Sequence, residues 1–485
     1  MVRITSSLLL AALATSVWAG DAPKCNADKQ CPEKYPCCSR ESCVSCIFVS
    51  LSLSLSNQSP EYGECGTGGY CLGGCDPLFS FSIDSCTPEP ACKSTTYKWD
   101  NLDNAGLNTK YLGDASKTDW TYSGFPEVKD GNLYITMPKN SVGTLFANNH
   151  YVWYGKISAK VKSSRGAGVV TGFIFLSDSK DEIDLEFVGS DLQNVQTNYY
   201  FQGILDCKSS THPDDSGNRS SSLDGNGGKS HVDNTYEDWH EYEIDWKPEA
   251  ITWSVDGKEI RTLKRDETWN EKTKRYDFPQ TPSRMQLSLW PAGQASNAEG
   301  TKEWAGGEID WDHEDIKKHG KYSAAFGPIT VECYDPPKDA DIQGDKAYIF
   351  TDDKGIESSI RMTNNNTVLA SLGATGLDMD VGAKSPSPSG SNPASSSPTN
   401  SVPENHGGSG NEPGSSSGGS SGSDSSDGGD SSSGSDSGFS QDGSDGSSDS
   451  GSGTNGSSGA ASQNERVLRG SFFAVLVAVV VMITL

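Results

Sequence analysis

The chain has 485 residues, which is enough for two or three domains of ordinary size. Its formal net charge is −26, and recognition of phosphates requires basic surface, so the composition argues against nucleic acid as a partner. Part of this negative charge comes from an Asp-bearing region near the C-terminus, so it says little about an active site.

The first residues have the pattern of a secretory signal peptide. Arg3 precedes an apolar run at 8–17, and the small residue Ala19 follows at the expected cleavage point. The apolar run is too short to cross a bilayer. We therefore expect residues 1–19 to be removed and the mature protein to be secreted.

The last residues have the pattern of a GPI-attachment signal. Small residues around Gly459 precede a polar spacer and an apolar tail at 472–485. Gly459 is the predicted attachment residue, with Asn455 as the second candidate, and residues 464–485 form the predicted signal tail. This predicts a lipid anchor on the outer face of the plasma membrane, next to the cell wall.

The cysteines predict a disulfide-rich module at residues 20–92. Eleven of the 13 cysteines lie between Cys25 and Cys92, and the segment has little apolar content, so disulfides rather than a core should hold it together. An odd total means that at least one thiol is unpaired or pairs with another chain.

Three further segments follow the module. Residues 93–340 carry most of the tryptophans in short, alternating apolar stretches. Residues 341–383 are a transition whose structure the pattern does not predict. Residues 384–463 consist mainly of Ser, Gly, Asp and Pro, a composition that buries too little apolar surface to fold and predicts a disordered stalk.

The segment 93–340 has the pattern of an all-β domain. Short runs rich in β-branched and aromatic residues occur at 133–137, 168–175 and 251–255, and Asp256-Gly257 is a tight-turn signal between strands. No helical periodicity of useful length is present. Many short strands over this length predict a two-sheet β-jelly-roll sandwich.

The most informative stretch is a predicted strand with acidic and apolar faces. Alternate residues of a strand share a face. One face would carry three acids and the other three apolar residues: Glu182, Asp184 and Glu186 against Ile183, Leu185 and Phe187. Charges on an exposed edge strand that prevent edge pairing are the alternative explanation. The neighbouring apolar run and the sequence around Asn198, which is rich in amides and aromatics, favour a sugar-binding cleft instead.

Paired carboxyl groups are the chemistry that glycoside cleavage needs. One attacks or stabilises the anomeric carbon as an anion, and the other protonates the departing oxygen. Clustering of acids supplies the required difference in proton affinity, because like charges raise the pKa of one member.

These residues resemble glycoside hydrolase family sixteen. The sequence 182–186 is similar to the E-x-D-x-E signature of that family, without the extra bulge residue of its bacterial lichenases. Matches in the same order extend over about 95–335 and are most similar to the fungal Crh-type cell-wall transglycosylases. The supporting motifs are Tyr154-Gly155-Lys156, Gln196-Thr197-Asn198-Tyr199, Trp239-His240-Glu241-Tyr242, Asp245-Trp246, Ser288-Leu289-Trp290 and Trp304-Ala305-Gly306-Gly307.

The resemblance implies a jelly roll and a retaining mechanism. By position in the motif, Glu182 would be the nucleophile, Glu186 the acid/base, and Asp184 an assisting residue between them. Crh-type enzymes are thought to join chitin to β-glucan chains, so both polysaccharides are expected partners.

Candidate sugar-binding residues follow from the strand pattern. Gln286 and Trp290 would share one face of a predicted strand, where an amide and an indole would line the cleft. Asn198 is a further candidate. Thr301 and Trp304 lie in a Gly-rich loop and are second candidates. Core packing is the commoner role of any single tryptophan and remains the alternative.

The cysteine-rich segment resembles a hevein-type chitin-binding module. The residues that match its sugar platform are Ser39 (or Ser59), Tyr62 and Tyr70, whereas Glu64 stands where a third aromatic is common. A disulfide knot that only spaces or stabilises the catalytic domain is the alternative. Residues 40–59 interrupt the pattern, and we interpret them as a retained intron or a gene-prediction error.

No motif indicates a cofactor or a metal centre, and none is predicted. The leading hypothesis is a wall transglycosylase that joins chitin to β-glucan, with possible chitinase activity on the side. The alternatives are an endo-β-glucan hydrolase and a non-enzymatic chitin-binding wall protein.

Overall fold

Alternation of apolar and polar residues in the central segment produces antiparallel strands, as predicted. The computed structural model of the protein describes residues 22–26, 28–39, 63–204 and 227–383. In the hairpin turn after the strand at 251–255, Asp256 and Gly257 have φ values of 52° and 74°. Two consecutive positive φ values are typical of the tight turn that the sequence indicates.

The strands of the first part of the described chain are, in order, β1 (Lys24–Cys25), β2 (Cys37–Ser39), β3 (Gly63–Gly66), β4 (Glu89–Pro90), β5 (Thr95–Tyr97), β6 (Ala105–Leu107), β7 (Trp120–Ser123), β8 (Phe125–Lys129), β9 (Asn132–Pro138), β10 (Thr144–Val152), β11 (Gly155–Lys162) and β12 (Val169–Ser177). The later strands are β13 (Glu182–Val188), β14 (Asn194–Tyr200), β15 (Gly228–His231), β16 (His240–Trp246), β17 (Ala250–Val255), β18 (Lys258–Lys264), β19 (Trp269–Asn270), β20 (Arg275–Tyr276), β21 (Ser283–Pro291), β22 (Lys321–Cys333), β23 (Asp341–Ile342), β24 (Ala347–Phe350) and β25 (Ile360–Thr363).

Helices are few and short in the described ranges. The α-helices are α1 (Glu299–Trp304) and α2 (Glu314–His319), and 3-10 turns occur at Gly68–Cys71, Ile83–Ser85, Asn108–Lys110, Arg265–Thr268 and Glu357–Ser359. Neither α-helix of the described chain has the length and apolarity needed to cross a bilayer.

Two large sheets form the sandwich, which confirms the predicted jelly roll. The front sheet has the strand order β15-β14-β13-β12-β21-β10-β7-β6, and the back sheet has the order β18-β17-β16-β11-β22-β9-β8, with β5 beside β22. All pairs of the front sheet are antiparallel except β6 and β7.

Aromatic side chains fill the space between the sheets. Phe187 of the front sheet packs edge-on against Tyr242 of the back sheet, with 4.8 Å between ring centroids. Phe175 and Trp246 are in a tilted arrangement, with 5.6 Å between ring centroids. Such pairs add to the stabilisation from burial alone. They bind the front sheet to the back sheet directly behind β12 and β13.

Disulfides hold the N-terminal module, defined here as the described residues from 22 to 92. Five disulfides use ten cysteines: Cys25–Cys38, Cys31–Cys65, Cys37–Cys71, Cys75–Cys86 and Cys92–Cys333. The last joins the end of the module to β22. The other three cysteines, Cys43, Cys46 and Cys207, lie outside the described residues, as does the questioned segment 40–59.

The segment 341–383, which the sequence pattern leaves unassigned, is a folded brace. Its strand β24 pairs with β4 at the end of the module. Further along, the backbone N–H of Gly68 donates a hydrogen bond to the carbonyl of Ala374 at 2.8 Å, and the Thr367 hydroxyl donates one to the carbonyl of Gly113 at 2.9 Å. The brace therefore contacts both the module and the loop that precedes β7.

A buried acidic pair lies where module, brace and front sheet meet. Glu89 of β4 and Asp178, just after β12, are both buried beside Arg284. Tyr151 and the backbone N–H of Gly74 donate hydrogen bonds to Asp178 at 2.9 and 2.8 Å. Burial raises the pKa of Glu89 well above its usual range and raises the pKa of Asp178 to about 6.

These raised pKa values predict that the folded protein becomes more stable as the pH falls from 7 towards 4.5. An acid whose pKa is higher in the folded state than in the unfolded state binds more protons when the protein is folded. The free energy of unfolding therefore falls as the pH rises from the unfolded-state pKa to the folded-state pKa. Glu89→Gln should flatten this dependence, which thermal unfolding at a series of pH values would measure. One kcal/mol corresponds to about 2–4 °C in the melting temperature of a domain this large.

The matched control is Glu33→Gln, since Glu33 is an exposed carboxylate of the same module. This control should keep the full pH dependence. An equally flat profile in both variants would contradict the assignment to Glu89.

Candidate active site

The acidic strand β13 lies inside the front sheet and is paired on both sides. Its neighbours are β12 and β14, and β14 separates it from the edge strand β15. Protection of an exposed edge therefore does not explain its acids.

The two faces of β13 are divided as the sequence predicts. Ile183, Leu185 and Phe187 are at most 1 % exposed and belong to the core between the sheets. Glu182 and Glu186 are partly exposed on the opposite face, and Asp184 between them is buried. We call the side of the front sheet that carries these three acids the front face.

The back sheet also fixes the backbone of the central acid. The indole N–H of Trp253 in β17 donates a hydrogen bond to the main-chain oxygen of Asp184 at 2.9 Å. Trp253 itself is fully buried. A buried donor is unfavourable without an acceptor, so this hydrogen bond fixes the position of the Asp184 backbone relative to the core.

The proton affinity of Glu182 reflects opposing effects. Burial raises the pKa of its carboxyl, while a hydrogen bond with the Asp184 side chain and the positive charge of Lys180 lower it. Burial is the largest of these effects. The pKa of Glu182 is therefore raised above its usual value despite the two opposing effects.

Asp181 anchors the turn that leads into β13, and its side chain does not lie on the front face. Its carboxylate accepts hydrogen bonds from the Thr281 hydroxyl at 2.7 Å and from the backbone N–H groups of Gln280, Thr281 and Gln202 at 2.8, 3.0 and 3.1 Å. Burial raises the pKa of Asp181 to about 6. Asp181 thus sets the start of the acidic strand.

Three polar residues of β14 stand beside the three acids. Tyr200 lies opposite Glu182, Asn198 opposite Asp184, and Gln196 opposite Glu186. Asn198, a predicted binding residue, is buried, and its amide donates a hydrogen bond to the Tyr200 hydroxyl at 2.8 Å. The strand register places all three on the front face.

The predicted binding strand β21 lies on the other side of the acids, across β12. Gln286 pairs with Ile174, which in turn pairs with Asp184, so Gln286 occupies the same row of the front face. Gln286 is buried, and among the described residues its side-chain oxygen has no hydrogen-bond partner. A ligand hydroxyl or amide would satisfy it.

The two predicted tryptophans meet at one end of this face. Trp290 is 6 % exposed and packs beneath Trp304 of α1, with ring centroids 6.2 Å apart at an interplanar angle of 30°. The Trp304 indole N–H donates to the Gln196 side-chain oxygen at 2.8 Å. Trp304, which is partly exposed, therefore presents the more accessible ring, and Thr301 of the same helix is buried.

The predicted chitin platform is only partly within the described residues. Ser39 ends β2, and Tyr70 lies in the 3-10 turn at Gly68–Cys71, where both are partly exposed. Tyr62 lies outside the described residues, as do the signal peptide 1–19, the stalk 384–463, the predicted attachment residue Gly459 and the signal tail 464–485.

Cysteines form the one group of potential metal ligands that the described chain brings together. Cys25, Cys31 and Cys65 lie close to one another. All three are disulfide-bonded, so they offer no thiolate to a metal.

Sequence reasoning did not single out Gln196, Tyr200 or Lys180 as parts of the site. Gln196 and Tyr200 alternate with the predicted Asn198, so a two-residue period along β14 would have included them. Lys180 acts on Glu182 across a turn in which its own φ is 68°. Nothing in the local sequence pattern indicates this electrostatic effect of Lys180 on Glu182.

Comparison with known proteins agrees with this geometry. The sequence pattern of the family described as "Glycosyl hydrolases family 16" matches residues 114–306, which include β13, β14, β21 and α1. The fold and the matched segment together define a glycosyl-transferring hydrolase of the jelly-roll class.

Relatives that match over most of the chain narrow the assignment within this family. It is 65 % identical to "Crh-like protein 2" of Aspergillus fumigatus, over 100 % of both chains. It is 47 % identical to "Crh-like protein 3" of Botryotinia fuckeliana, over 78 % of this chain and 76 % of that protein. It is 41 % identical to "Congo red hypersensitive protein 2" of Saccharomyces cerevisiae, over 74 % of this chain and 70 % of that protein.

Among solved structures, "Apo Crh5 transglycosylase" is similar with 28 % sequence identity and a TM-score of 0.45, over 59 % of this chain and 100 % of that one. The chain belongs to glycosyl hydrolases family 16 and, within it, to the Crh-like proteins.

The contacts of Asp181 predict that Asp181→Ala is strongly destabilising. The change would leave three buried backbone N–H groups without an acceptor, at a cost of about 1–3 kcal/mol for each unpaired group. Urea unfolding should show a loss on the order of 3 kcal/mol or more. Asp191→Ala is the control, because Asp191 is a partly exposed carboxylate just beyond the other end of β13. Equal losses in the two variants would contradict the anchoring role.

Proposed function

We propose that the protein is a retaining glycosidase and transglycosylase of the fungal cell wall, which cleaves chitin and transfers the released end to a β-glucan acceptor. The observation that carries the proposal is the placement of Glu182, Asp184 and Glu186 on one face of β13, a strand that β12 and β14 flank. Retaining glycoside chemistry needs an anionic nucleophile and a separate proton donor close together.

In the first step, Glu182 attacks the anomeric carbon of the donor sugar. The bond from that carbon to the glycosidic oxygen breaks, and Glu186 gives its proton to the departing oxygen. The donor sugar is then esterified to Glu182, and Glu186 is left as a carboxylate.

In the second step, Glu186 takes a proton from the incoming hydroxyl group as that oxygen attacks the same carbon. The ester bond to Glu182 breaks, and both carboxyl groups return to their starting states. Water as the attacking molecule gives hydrolysis, and a sugar hydroxyl gives a new glycosidic bond.

Asp184 keeps the nucleophile usable. Burial favours the protonated form of Glu182, which cannot attack, whereas the hydrogen bond from Asp184 favours the carboxylate. A proton held on Asp184 leaves the charge on Glu182. In this role Asp184 assists the nucleophile and does not itself bond to the sugar.

Several features support a chitin donor and action at the cell wall. The relatives that match over most of their length include Crh-like proteins of Aspergillus fumigatus and Botryotinia fuckeliana. The module resembles chitin-binding modules and carries Ser39 and Tyr70 next to the catalytic sandwich. The sequence signals for secretion and for a GPI anchor at Gly459 are consistent with an enzyme held at the outer face of the plasma membrane.

Substitution of the two glutamates tests the assigned roles. Glu182→Gln should lower turnover about 10³-fold or more with every substrate, because no other group can form the ester. Glu186→Gln should lose less activity on a substrate with an activated leaving group than on chitin oligomers, because an activated leaving group departs without protonation. Turnover of chitin oligomers and of an activated aryl glycoside would be measured for both variants.

Glu241→Gln provides the control, since Glu241 is an exposed carboxylate of β16 in the back sheet. It should keep the activity of the unchanged protein. Full activity in Glu182→Gln would refute the nucleophile assignment.

Product analysis tests whether a sugar hydroxyl or water accepts the donor sugar from Glu182. The protein would be incubated with chitin oligomers and fluorescently labelled β-glucan oligomers, and the products separated by size and identified by mass. Hybrid chains that carry the label support transfer. Shortened chains alone would support an endo-hydrolase, and no turnover would support a binding protein without activity.

A further inference from the structure

A cavity lies between the N-terminal module and the front face, away from the three acids. Its enclosed part measures about 40 Å³, and the whole space measures about 530 Å³ together with its opening to solvent. Ser39, Leu72 and Gly73 line it from the module, and Leu145 and Ala147 of β10 line it from the sheet.

The cavity floor belongs to the same face as the acids. Ala147 pairs with Gln286, Gln286 with Ile174, and Ile174 with Asp184. Three strand spacings separate β10 from β13, which is about 14–15 Å. A saccharide chain that lies across the strands at Glu182 would therefore reach the cavity after a few sugar residues.

The module is held close to this floor. A Cβ atom at Gly73 would come within 1.9 Å of the Arg284 guanidinium, so the module backbone approaches as closely as glycine permits. Arg284 cannot easily give way, because it donates to the main-chain oxygen of Asn148 at 2.9 Å and to the Thr121 hydroxyl at 3.0 Å. The cavity is thus formed before any ligand binds.

Three polar atoms of the cavity wall have no hydrogen-bond partner within the described chain: the side-chain oxygen of Asn108 and the hydroxyl groups of Tyr111 and Ser123. Ser123 is 2 % exposed. Burial raises the pKa of Tyr111 above its usual range, so its hydroxyl stays protonated and can donate. Buried polar atoms without partners are unfavourable, and a ligand with hydroxyl and amide groups would satisfy them.

The rest of the wall suits a neutral ligand with a small apolar part. Leu72, Leu145 and Ala147 provide the apolar surface. The positive charge of Arg284 is balanced by the buried Asp178 next to it. An acetamido group combines a methyl for the apolar surface, an N–H for Asn108 and a carbonyl oxygen for Tyr111.

We propose that this cavity binds an N-acetylated sugar residue of the donor chain, several residues from the bond that is cleaved. The inference rests on the proposed function, and it adds that module and sheet form one binding site rather than two separate ones. The module then selects long N-acetylated donors by holding their far end.

The test is binding of β-1,4-linked N-acetylglucosamine oligomers, from disaccharide to octasaccharide, by calorimetry. Glu182→Gln serves as the background so that the oligomers are not consumed. In that background Tyr111→Phe removes one hydroxyl and should weaken binding of the long oligomers about five- to tenfold, while the shortest ones that occupy only the region of the acids keep their affinity. Asn108→Ala should act in the same direction.

Tyr134→Phe is the matched control, because Tyr134 is a partly buried tyrosine of β9 in the back sheet. It should leave binding of every oligomer unchanged, and melting temperatures would confirm that all variants fold. Unchanged affinity for long oligomers in both Tyr111→Phe and Asn108→Ala would overturn the proposal, since the cavity would then hold only water. An equal loss with glucose oligomers of the same length would overturn the preference for an N-acetylated residue.

Turnover by the protein without substitutions separates this proposal from the proposed function. A protein that cleaves short oligomers but shows no effect of Tyr111→Phe retains its function and lacks the remote site. A protein that binds long oligomers through Tyr111 but cleaves none has the site and lacks the enzymatic function.

Discussion

The two-residue period of β13 couples the hydrophobic core to the chemistry of the front face. Because successive side chains point to opposite faces, a shift of one residue would place three carboxylates in the core and three apolar residues in water. The packing of Phe187 on Tyr242 and the hydrogen bond from Trp253 to the Asp184 main chain oppose that shift. The positions of Glu182, Asp184 and Glu186 therefore depend on side chains that face away from them.

Burial then shapes the electrostatics of those acids. Desolvation raises the pKa of the Glu182 carboxyl and so favours its protonated form. The hydrogen bond with Asp184 and the charge of Lys180 counter this effect. Asp181 contributes indirectly, since its acceptor contacts fix the turn that presents Lys180 and the first residue of β13. Asp181 and Glu182 are adjacent in sequence, but their surroundings therefore differ.

The module and the brace are joined to the sandwich by direct contacts. Pairing of β4 with β24, the Cys92–Cys333 disulfide and the contacts of Gly68 and Thr367 join parts of the chain that are more than 200 residues apart. The module consequently has a defined place beside the front face. A module joined only by a long linker would raise local substrate concentration, whereas this one can also contribute atoms to the wall of a site.

Local sequence was sufficient for the sandwich fold, for the two faces of the acidic strand and for the family, because strand periodicity and short motifs depend on neighbouring residues. Tertiary structure alone decided that Trp290 lies beneath Trp304, that Gln196 and Tyr200 stand beside the acids, and that residues 341–383 form a brace. Each of these outcomes depends on which distant strands pair and in which register. The partners Trp304 and Gln196, for example, are 108 residues apart in the chain. Local propensity carries no information on such distances, whereas core packing and backbone hydrogen bonding select one arrangement of the whole sheet.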